Sequence, residues 1–226
     1  MSEPGIAEQL ADRVASLDAQ RLPADLRAAC EDLLLDVGGL CIAARHSDYM
    51  KKLVSSVDTG GACTAIGHPG GFSAEDAAMI NGTATHGEDY DDTFEGGPVH
   101  AGAVIVPAVL AAAEHRGLDG NAVVKGIAVG SEVMCRMGLV APQATHKACF
   151  HPTAVFGAPA AAAAVAAALT PFEPHPEGML RIRKRRMYGE PQRPDAGVPY
   201  YFAVQPFTAA PRSWNQLLAT LSATPE

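Results

Sequence analysis

Apolar side chains recur every three or four positions along much of the first 170 residues, the spacing that places them on one face of an α-helix. This pattern predicts a first helix from Ile6 and a second from Pro23, a residue suited to the first turn of a helix. Ser73, with Asp76 three residues further on, resembles a capping box, so we expect a helix from there to about Thr85.

Three further helices are predicted between residues 103 and 169. One runs from Ala103 to Arg116 and stops at Gly117. The next has Asp119 as its N-cap and runs to about Met137. The last covers Thr153 to Leu169 and is dominated by alanine, whose small side chain lets helices approach closely. The segment 86–101 has no apolar period and is interpreted as a loop. Residues 1 to 170 are therefore predicted to form an all-α domain.

The composition supports a globular, helical protein. Hydrophobic residues make up 48% of the chain and charged residues 19%, which excludes a largely disordered chain. Aromatic residues are only 6%, and alanine, the strongest intrinsic helix former, dominates the apolar fraction. The formal net charge of -8 provides no general attraction to nucleic acid, so we expect no nucleic-acid partner.

The cysteines and the apolar segments indicate the cellular compartment in which the protein is expected. The five cysteines are odd in number and form no Cys-x-x-Cys pair, so reduced thiols are expected rather than disulfides or structural zinc. The N-terminus has neither the basic nor the apolar region of a signal peptide, and the run Ala158 to Leu169 is too short to span a bilayer. We therefore expect a cytoplasmic protein with no membrane partner.

The composition changes at Pro171. Nine of the 17 prolines lie from that residue onward, and the segment is net basic, with seven Lys or Arg against five Asp or Glu. Residues 171–226 are predicted to be an irregular, poorly ordered tail. A basic run from Arg181 to Arg186 leaves open a protein that binds an anionic surface through its tail, although such runs are usually only solvated.

The loop from His86 to His100 carries the densest chemistry. Four carboxylates and a histidine fall within seven residues, and His100 follows soon after. Like charges this close are one way to keep a carboxyl poised for proton transfer. On composition alone, a solvated acidic loop is slightly favoured over this interpretation. A metal site is a third possibility, but the spacing does not fit an EF-hand, and we expect no metal.

A second stretch, from His146 to Thr153, combines two imidazoles and the ammonium of Lys147 just before a predicted helix. Free N–H groups and a partial positive charge at a helix start favour a bound carboxylate. The alternative is a capped helix start with a lysine at the surface. The cluster of His151, Pro152 and Thr153 favours a site.

Together these stretches resemble the MmgE/PrpD family. His86–Thr93 resembles the family's [HA]-x-x-Asp-[YF]-Asp-Asp-Thr signature. Other matching segments are Gly67, Asn81–Ala84, His100–Pro107, Ala111–Glu114, Gly130–Val133, Phe150–Thr153 and Gly157. The resemblance covers roughly residues 5 to 170, and several motifs in the same order make it specific. Family activities include 2-methylcitrate dehydration, cis-aconitate decarboxylation and iminodisuccinate epimerisation.

The resemblance implies proton transfer next to a carboxylate of a small di- or tricarboxylic acid. His100 is the expected general acid/base, Asp89 would orient or share its proton, and His151 is the third expected catalytic residue. His151 and Lys147 would also hold substrate carboxylates, and Thr93 would hydrogen-bond the substrate. Asp92 and His86 are further candidate substrate-binding residues. No Fe–S ligand pattern occurs, and no cofactor is expected.

The resemblance also implies a homodimer. Family members carry a second half with a lid domain and an active-site lysine, whereas nothing after Thr170 matches, so we expect a truncated form with little activity. Two alternatives remain open. One is an epimerase or isomerase of the same family, and the other is a non-catalytic remnant or dimerisation module.

Overall fold

The computed structural model describes residues 5–140 and 143–170. The predicted boundary at Pro171 and the predicted irregular tail, 171–226, lie outside the described residues. Within the described ranges the secondary structure is helical, which confirms the predicted fold class. The α-helices are α1 Ile6–Ala15, α2 Ala24–Ala44, α3 Asp48–Ser55, α4 Ala74–His86, α5 Ala101–Arg116, α6 Gly120–Val140, α7 Ala144–Lys147 and α8 Pro152–Leu169, with a short 3-10 helix at Ala19–Arg21.

The predicted helix ends agree with local chemistry. Ser73 caps α4, because its hydroxyl accepts a hydrogen bond from the backbone N–H of Asp76 at 3.0 Å. Gly117 ends α5 in the left-handed conformation, at a φ of 64°. Asp119 precedes α6 and accepts from the N–H of Ala122 at 2.9 Å. The sequence pattern therefore located these helix ends to within a few residues.

Helix α1 belongs to a different unit from the other helices. The remaining helices belong to the unit Asp18–Pro171, in which α5 packs against α2, α4, α6 and α8. The side chains of Ile105 and Val109 on α5 are completely buried, as is Ile127 on α6. Because α5 has core neighbours on several sides, its two ends are held firmly in space.

Small residues bring α6 and α8 together. A Cβ atom at Gly130 of α6 would lie 2.6 Å from the Cβ of Ala164 on α8 and 2.6 Å from a methyl of Ile105, so only glycine fits there. Among the described helices, α8 alone has the length and mean hydropathy, 1.6, to cross a membrane. It packs against α5 and α6 with Ala160 and Ala164 fully buried, the environment of a core helix.

Two loops are fastened to this helical frame. Asn81 of α4 is 2% exposed; its amide donates to the carbonyl of Thr64, and its Oδ1 accepts from the N–H of Ile66. The loop between α4 and α5 closes on itself through a bridge between Phe94 and Val99, where the Phe94 N–H donates to the Val99 carbonyl at 3.1 Å. This second loop carries the acidic signature back to the start of α5.

Candidate active site

Three imidazoles meet where α4 ends and where α5 and α8 begin. His86 is the last residue of α4, and His100 and His151 are the N-cap residues of α5 and α8. The ring centroid of His86 lies 4.8 Å from that of His100 and 5.7 Å from that of His151, and the latter two are 6.3 Å apart. The structure thus brings together three predicted site residues that are up to 65 positions apart in the sequence.

A buried carboxylate joins two of these rings. The side chain of Asp91 is 0% exposed, and its two oxygens lie 3.0 and 3.1 Å from Nδ1 of His86. Nδ1 of His100 lies 3.4 Å from Oδ1 of the same carboxylate. Nothing in the sequence distinguishes Asp91 from the other acids of the loop. In the structure it is the carboxylate that lies beside both imidazoles.

The neighbouring Asp92 has a different position. Its carboxylate accepts hydrogen bonds from the backbone N–H groups of Ala101, at 3.2 Å, and Gly102, at 2.8 Å, and so caps the start of α5. Burial raises the pKa of this carboxyl and outweighs the two backbone hydrogen bonds, which act in the opposite direction. Substrate binding by Asp92 stays a prediction, and in the structure both of its oxygens have backbone partners.

Asp89 and Thr93 flank the buried carboxylate. Asp89 adopts a positive φ of 57°, and its N–H donates to the carbonyl of His86, so the chain turns sharply after α4. Its carboxylate is exposed, yet it offers an oxygen within 4.8 Å of ligand-type atoms of His86, Asp91 and His100. The Thr93 hydroxyl lies 3.4 Å from Nδ1 of His100. Both predicted residues therefore lie at the imidazole cluster.

The backbone of His100 is tied to α8. Its N–H donates to the hydroxyl of Thr153, in the first turn of α8, at 3.1 Å. The Phe-His-Pro-Thr motif identifies Thr153 as part of a candidate site, but nothing in the sequence indicates its contact with His100. This hydrogen bond holds the N-terminal ends of α5 and α8 side by side.

His151 is surrounded by other imidazoles. The pKa of His151 is lowered, first by partial burial and then by the nearby rings of His86, His100 and His146, while Asp89 opposes the shift. The neutral form of His151 is therefore favoured near pH 7, and its positive charge requires a lower pH or a bound anion.

Next to His151 lies an open cleft of ≈ 470 Å³. Its lining residues are Glu95, Gly96, Pro98, Gln143, His146 and Lys147. The ring of His146 is 6.4 Å from that of His151, so the cleft adjoins the imidazole cluster. Lys147, predicted from the sequence to bind substrate, lines this cleft rather than contacting His100. His146, which had no separate role in the sequence analysis, provides a second group that can become cationic.

The same cluster contains the donor types of a metal site. Ligand atoms of His86, Asp89, Asp91 and His100 all lie within 4.8 Å of one another. The same atoms also contact one another without an ion, because Asp91 lies at hydrogen-bond distance from His86 and at ion-pair distance from His100. The expectation of a metal-free site stays a prediction.

The fold and the site define a class of protein: an all-α protein in which three imidazoles and a buried carboxylate meet at converging helix ends. Comparison with known proteins specifies it further, since the MmgE/PrpD N-terminal domain matches residues 8–171. The chain belongs to the MmgE/PrpD family.

Curated relatives are similar over the same region. The chain is 31% identical over 176 residues to the cis-aconitate decarboxylase-like protein oryM of Aspergillus oryzae, and 28% identical over 174 residues to the cis-aconitate decarboxylase of Aspergillus terreus. Each match covers 72% of this chain, 36% of the first relative and 35% of the second. The chain thus spans about a third of the length of these relatives.

Proposed function

We propose that this chain carries the proton-transferring part of a lyase that acts on a small di- or tricarboxylic acid. The observation that carries the proposal is the cluster of His86, His100 and His151, organised by the buried Asp91, beside a cleft lined by Lys147. Imidazole is the side chain whose ordinary titration range lies closest to neutral pH, which suits it to donating and accepting protons.

His100 is the proposed general acid/base. In a dehydration or an epimerisation it would accept the proton from the carbon next to a carboxylate, and the electron pair of that C–H bond would delocalise onto the carboxylate. In the dehydration this pair then forms a C=C bond as the C–O bond of the β-hydroxyl breaks and the hydroxyl, with a proton, leaves as water. In the epimerisation a proton returns to the same carbon on its opposite face. In a decarboxylation the C–C bond supplies the electron pair as CO2 leaves, and His100 would donate a proton to the carbon. All three reactions require a group that exchanges a proton with this carbon. The names of the relatives favour decarboxylation, and a same-family epimerase is the alternative.

His151 and Lys147 are the proposed carboxylate-binding groups. Lys147 carries a positive charge at neutral pH, whereas the lowered pKa of His151 keeps this imidazole largely neutral there. A bound carboxylate stabilises the protonated form of His151. Affinity for the substrate should therefore rise as the pH falls from 7.5 through 6.5 and below, while the substrate's own carboxylates remain ionised.

We also propose that the 226-residue chain alone turns over slowly. His151 and Asp89 are exposed, and electrostatic stabilisation of a developing negative charge is weak in a site that water can enter. Dimerisation and a cytoplasmic location likewise stay predictions.

Calorimetric titration of the chain with cis-aconitate, at pH 5.8 and 7.5, tests the binding groups. Removing one charge-assisted hydrogen bond costs about 1.5–3 kcal/mol, or about 10- to 100-fold in affinity, so Lys147→Ala and His151→Ala should each bind at least about tenfold more weakly. The pH dependence should become smaller in His151→Ala, because His146 in the same cleft remains.

Matched controls lie at the opposite end of α5. Arg116→Ala and His115→Ala remove the same types of group from the last turn of that helix, about 20 Å from its start. They should bind as the wild type does. Equal affinity in all five proteins, or affinity that rises with pH, would contradict the proposed binding site. Formation of CO2 or of an unsaturated product, abolished by His100→Ala, tests the proposed chemistry.

A further inference from the structure

Asp91 lies beside Nδ1 of both His86 and His100, and the group that contacts a ring nitrogen determines whether that nitrogen carries a proton. An ionised carboxylate has only acceptor atoms, so a ring nitrogen at hydrogen-bond distance from it must be the donor. Nδ1 of His86 lies 3.0 and 3.1 Å from the two oxygens of Asp91. This contact places the hydrogen of His86 on Nδ1 and leaves Nε2 with a free lone pair when the ring is neutral.

His100, whose side chain is 14% exposed, lies beside the same carboxylate. Its Nδ1 has two oxygen neighbours at 3.4 Å, one from the Asp91 carboxylate and one from the Thr93 hydroxyl. The carboxylate can only accept, and the hydroxyl can accept as well as donate. An Nδ1–H on His100 therefore satisfies both neighbours, whereas a bare Nδ1 would place its lone pair against a buried negative charge.

We propose that Asp91 is a positioning residue that fixes the tautomer of both His86 and His100, with Nδ1 protonated and Nε2 free to exchange a proton. This rests on the proposed function only in that His100 is the group that exchanges protons with the substrate. In the opposite tautomer, Nε2 of a neutral imidazole carries a hydrogen and cannot act as a base.

Neither neighbouring acid can replace Asp91 in this role. Both oxygens of Asp92 are used by the backbone of α5, and Asp89 is exposed to solvent. Asp91 is 7% exposed as a residue, and its side chain is fully enclosed, so its carboxylate is held in one orientation by protein atoms. A fixed acceptor between two imidazoles is what tautomer control requires.

Asp91→Asn gives a specific test because an amide keeps the shape but not the acceptor pattern. Its carbonyl can accept from one Nδ1–H, while its NH2 group must donate to the other ring, which then has to move its hydrogen to Nε2. In serine-protease triads the corresponding exchange lowers kcat by about 10⁴-fold through the wrong tautomer. Any turnover that the chain shows should fall about 100-fold or more, with KM changing much less.

The primary measurement is nitrogen NMR of the full chain with ¹⁵N-labelled histidine at pH 7.5, which distinguishes protonated from unprotonated ring nitrogens. His86→Ala and His100→Ala assign the two rings. We expect both to carry the hydrogen on Nδ1 in the wild type, and at least one to switch in Asp91→Asn. Glu88→Gln, the matched exchange at an exposed acid of the same loop that lies outside the imidazole cluster, should leave both tautomers unchanged.

Two results would overturn the proposal. One is a wild-type spectrum with the hydrogen of His86 or His100 on Nε2, a result that needs no variant to fold. The other is a folded Asp91→Asn protein in which both tautomers are unchanged, which would leave Asp91 with a purely structural role. Absence of turnover or of cis-aconitate binding would count against the proposed function alone, because the tautomers are measured without substrate.

Discussion

Removing the carboxylate of Asp92 should destabilise the start of α5. The carboxylate of Asp92 accepts hydrogen bonds from the backbone N–H groups of Ala101 and Gly102. These are two of the donors that have no partner inside the helix. Asp92→Ala leaves both donors without this acceptor. Asp92→Asn keeps one acceptor oxygen but turns an NH2 group towards the other N–H.

The size of the effect follows from two opposing contributions. A hydrogen bond to an ionised group contributes about 1.5–3 kcal/mol, but burial of the charge offsets part of the two bonds made by Asp92. Loss of a helix N-cap costs about 0.5–2 kcal/mol in measured cases. We therefore expect Asp92→Ala to lower the free energy of unfolding by about 2 kcal/mol. For a chain of this size the corresponding fall in Tm is about 4–8 °C.

The pH dependence has a definite sign. The pKa of Asp92 is raised in the folded protein, so the folded state binds this proton more tightly than the unfolded state does. The resulting stabilisation is fully present below the unfolded pKa, near 3.8, and is lost as the pH rises through the folded pKa. Wild type should therefore exceed Asp92→Asn by more at pH 4 than at pH 7.

Urea unfolding followed by circular dichroism at the two pH values measures both quantities. Asp36→Asn, an exposed position within α2, is the matched control and should unfold within about 0.5 kcal/mol of the wild type. An Asp92→Ala protein as stable as this control would contradict the capping role of Asp92. An advantage of the wild type over Asp92→Asn that grows as the pH is raised would contradict the raised pKa.

Packing and burial give two more predictions, both measured by thermal unfolding. Gly130→Ala should lower the free energy of unfolding by about 1–3 kcal/mol, because its new methyl group meets Ala164 and Ile105. The control Gly39→Ala, where a Cβ has nothing within 4 Å, should raise it by about 0.5–1 kcal/mol. The reverse order of stability would contradict the close packing at Gly130. Lys125 is 3% exposed, and its ammonium has no hydrogen-bond partner in the described part of the chain. Lys125→Met should therefore raise the free energy of unfolding by about 1 kcal/mol. A less stable Lys125→Met protein would contradict this expectation.

The long helices could be predicted from the sequence because each combines an apolar period with a recognisable end. Asp119 and Gly117 bracket the turn between α5 and α6, and both were identified from residue type alone. Helix α3, Asp48–Ser55, was not predicted, since eight residues provide only about two turns of periodic pattern. Helix α7 has only four residues and was missed for the same reason.

The sequence singled out the three imidazoles that converge in the structure, but it did not indicate how the neighbouring acids contact them. The signature loop and the Phe-His-Pro-Thr motif pointed to His86, His100 and His151. A loop has no period, however, so nothing in the sequence separates the buried Asp91 from the capping Asp92 beside it. That difference depends on where α4 ends relative to the start of α5, which is a property of tertiary packing.

The hydrogen bond from the His100 N–H to Thr153 has a consequence for synthesis on the ribosome. His86, Asp91 and His100 lie within 15 residues of one another, so their side chains can associate once α4 and the start of α5 have emerged. Thr153, whose hydroxyl accepts the hydrogen bond from the His100 N–H, is synthesised 53 residues later. The nascent chain therefore completes this site only after α8 has begun to emerge, and a ribosome that pauses before Thr153 holds a protein whose proposed acid/base residue is not yet fixed in place.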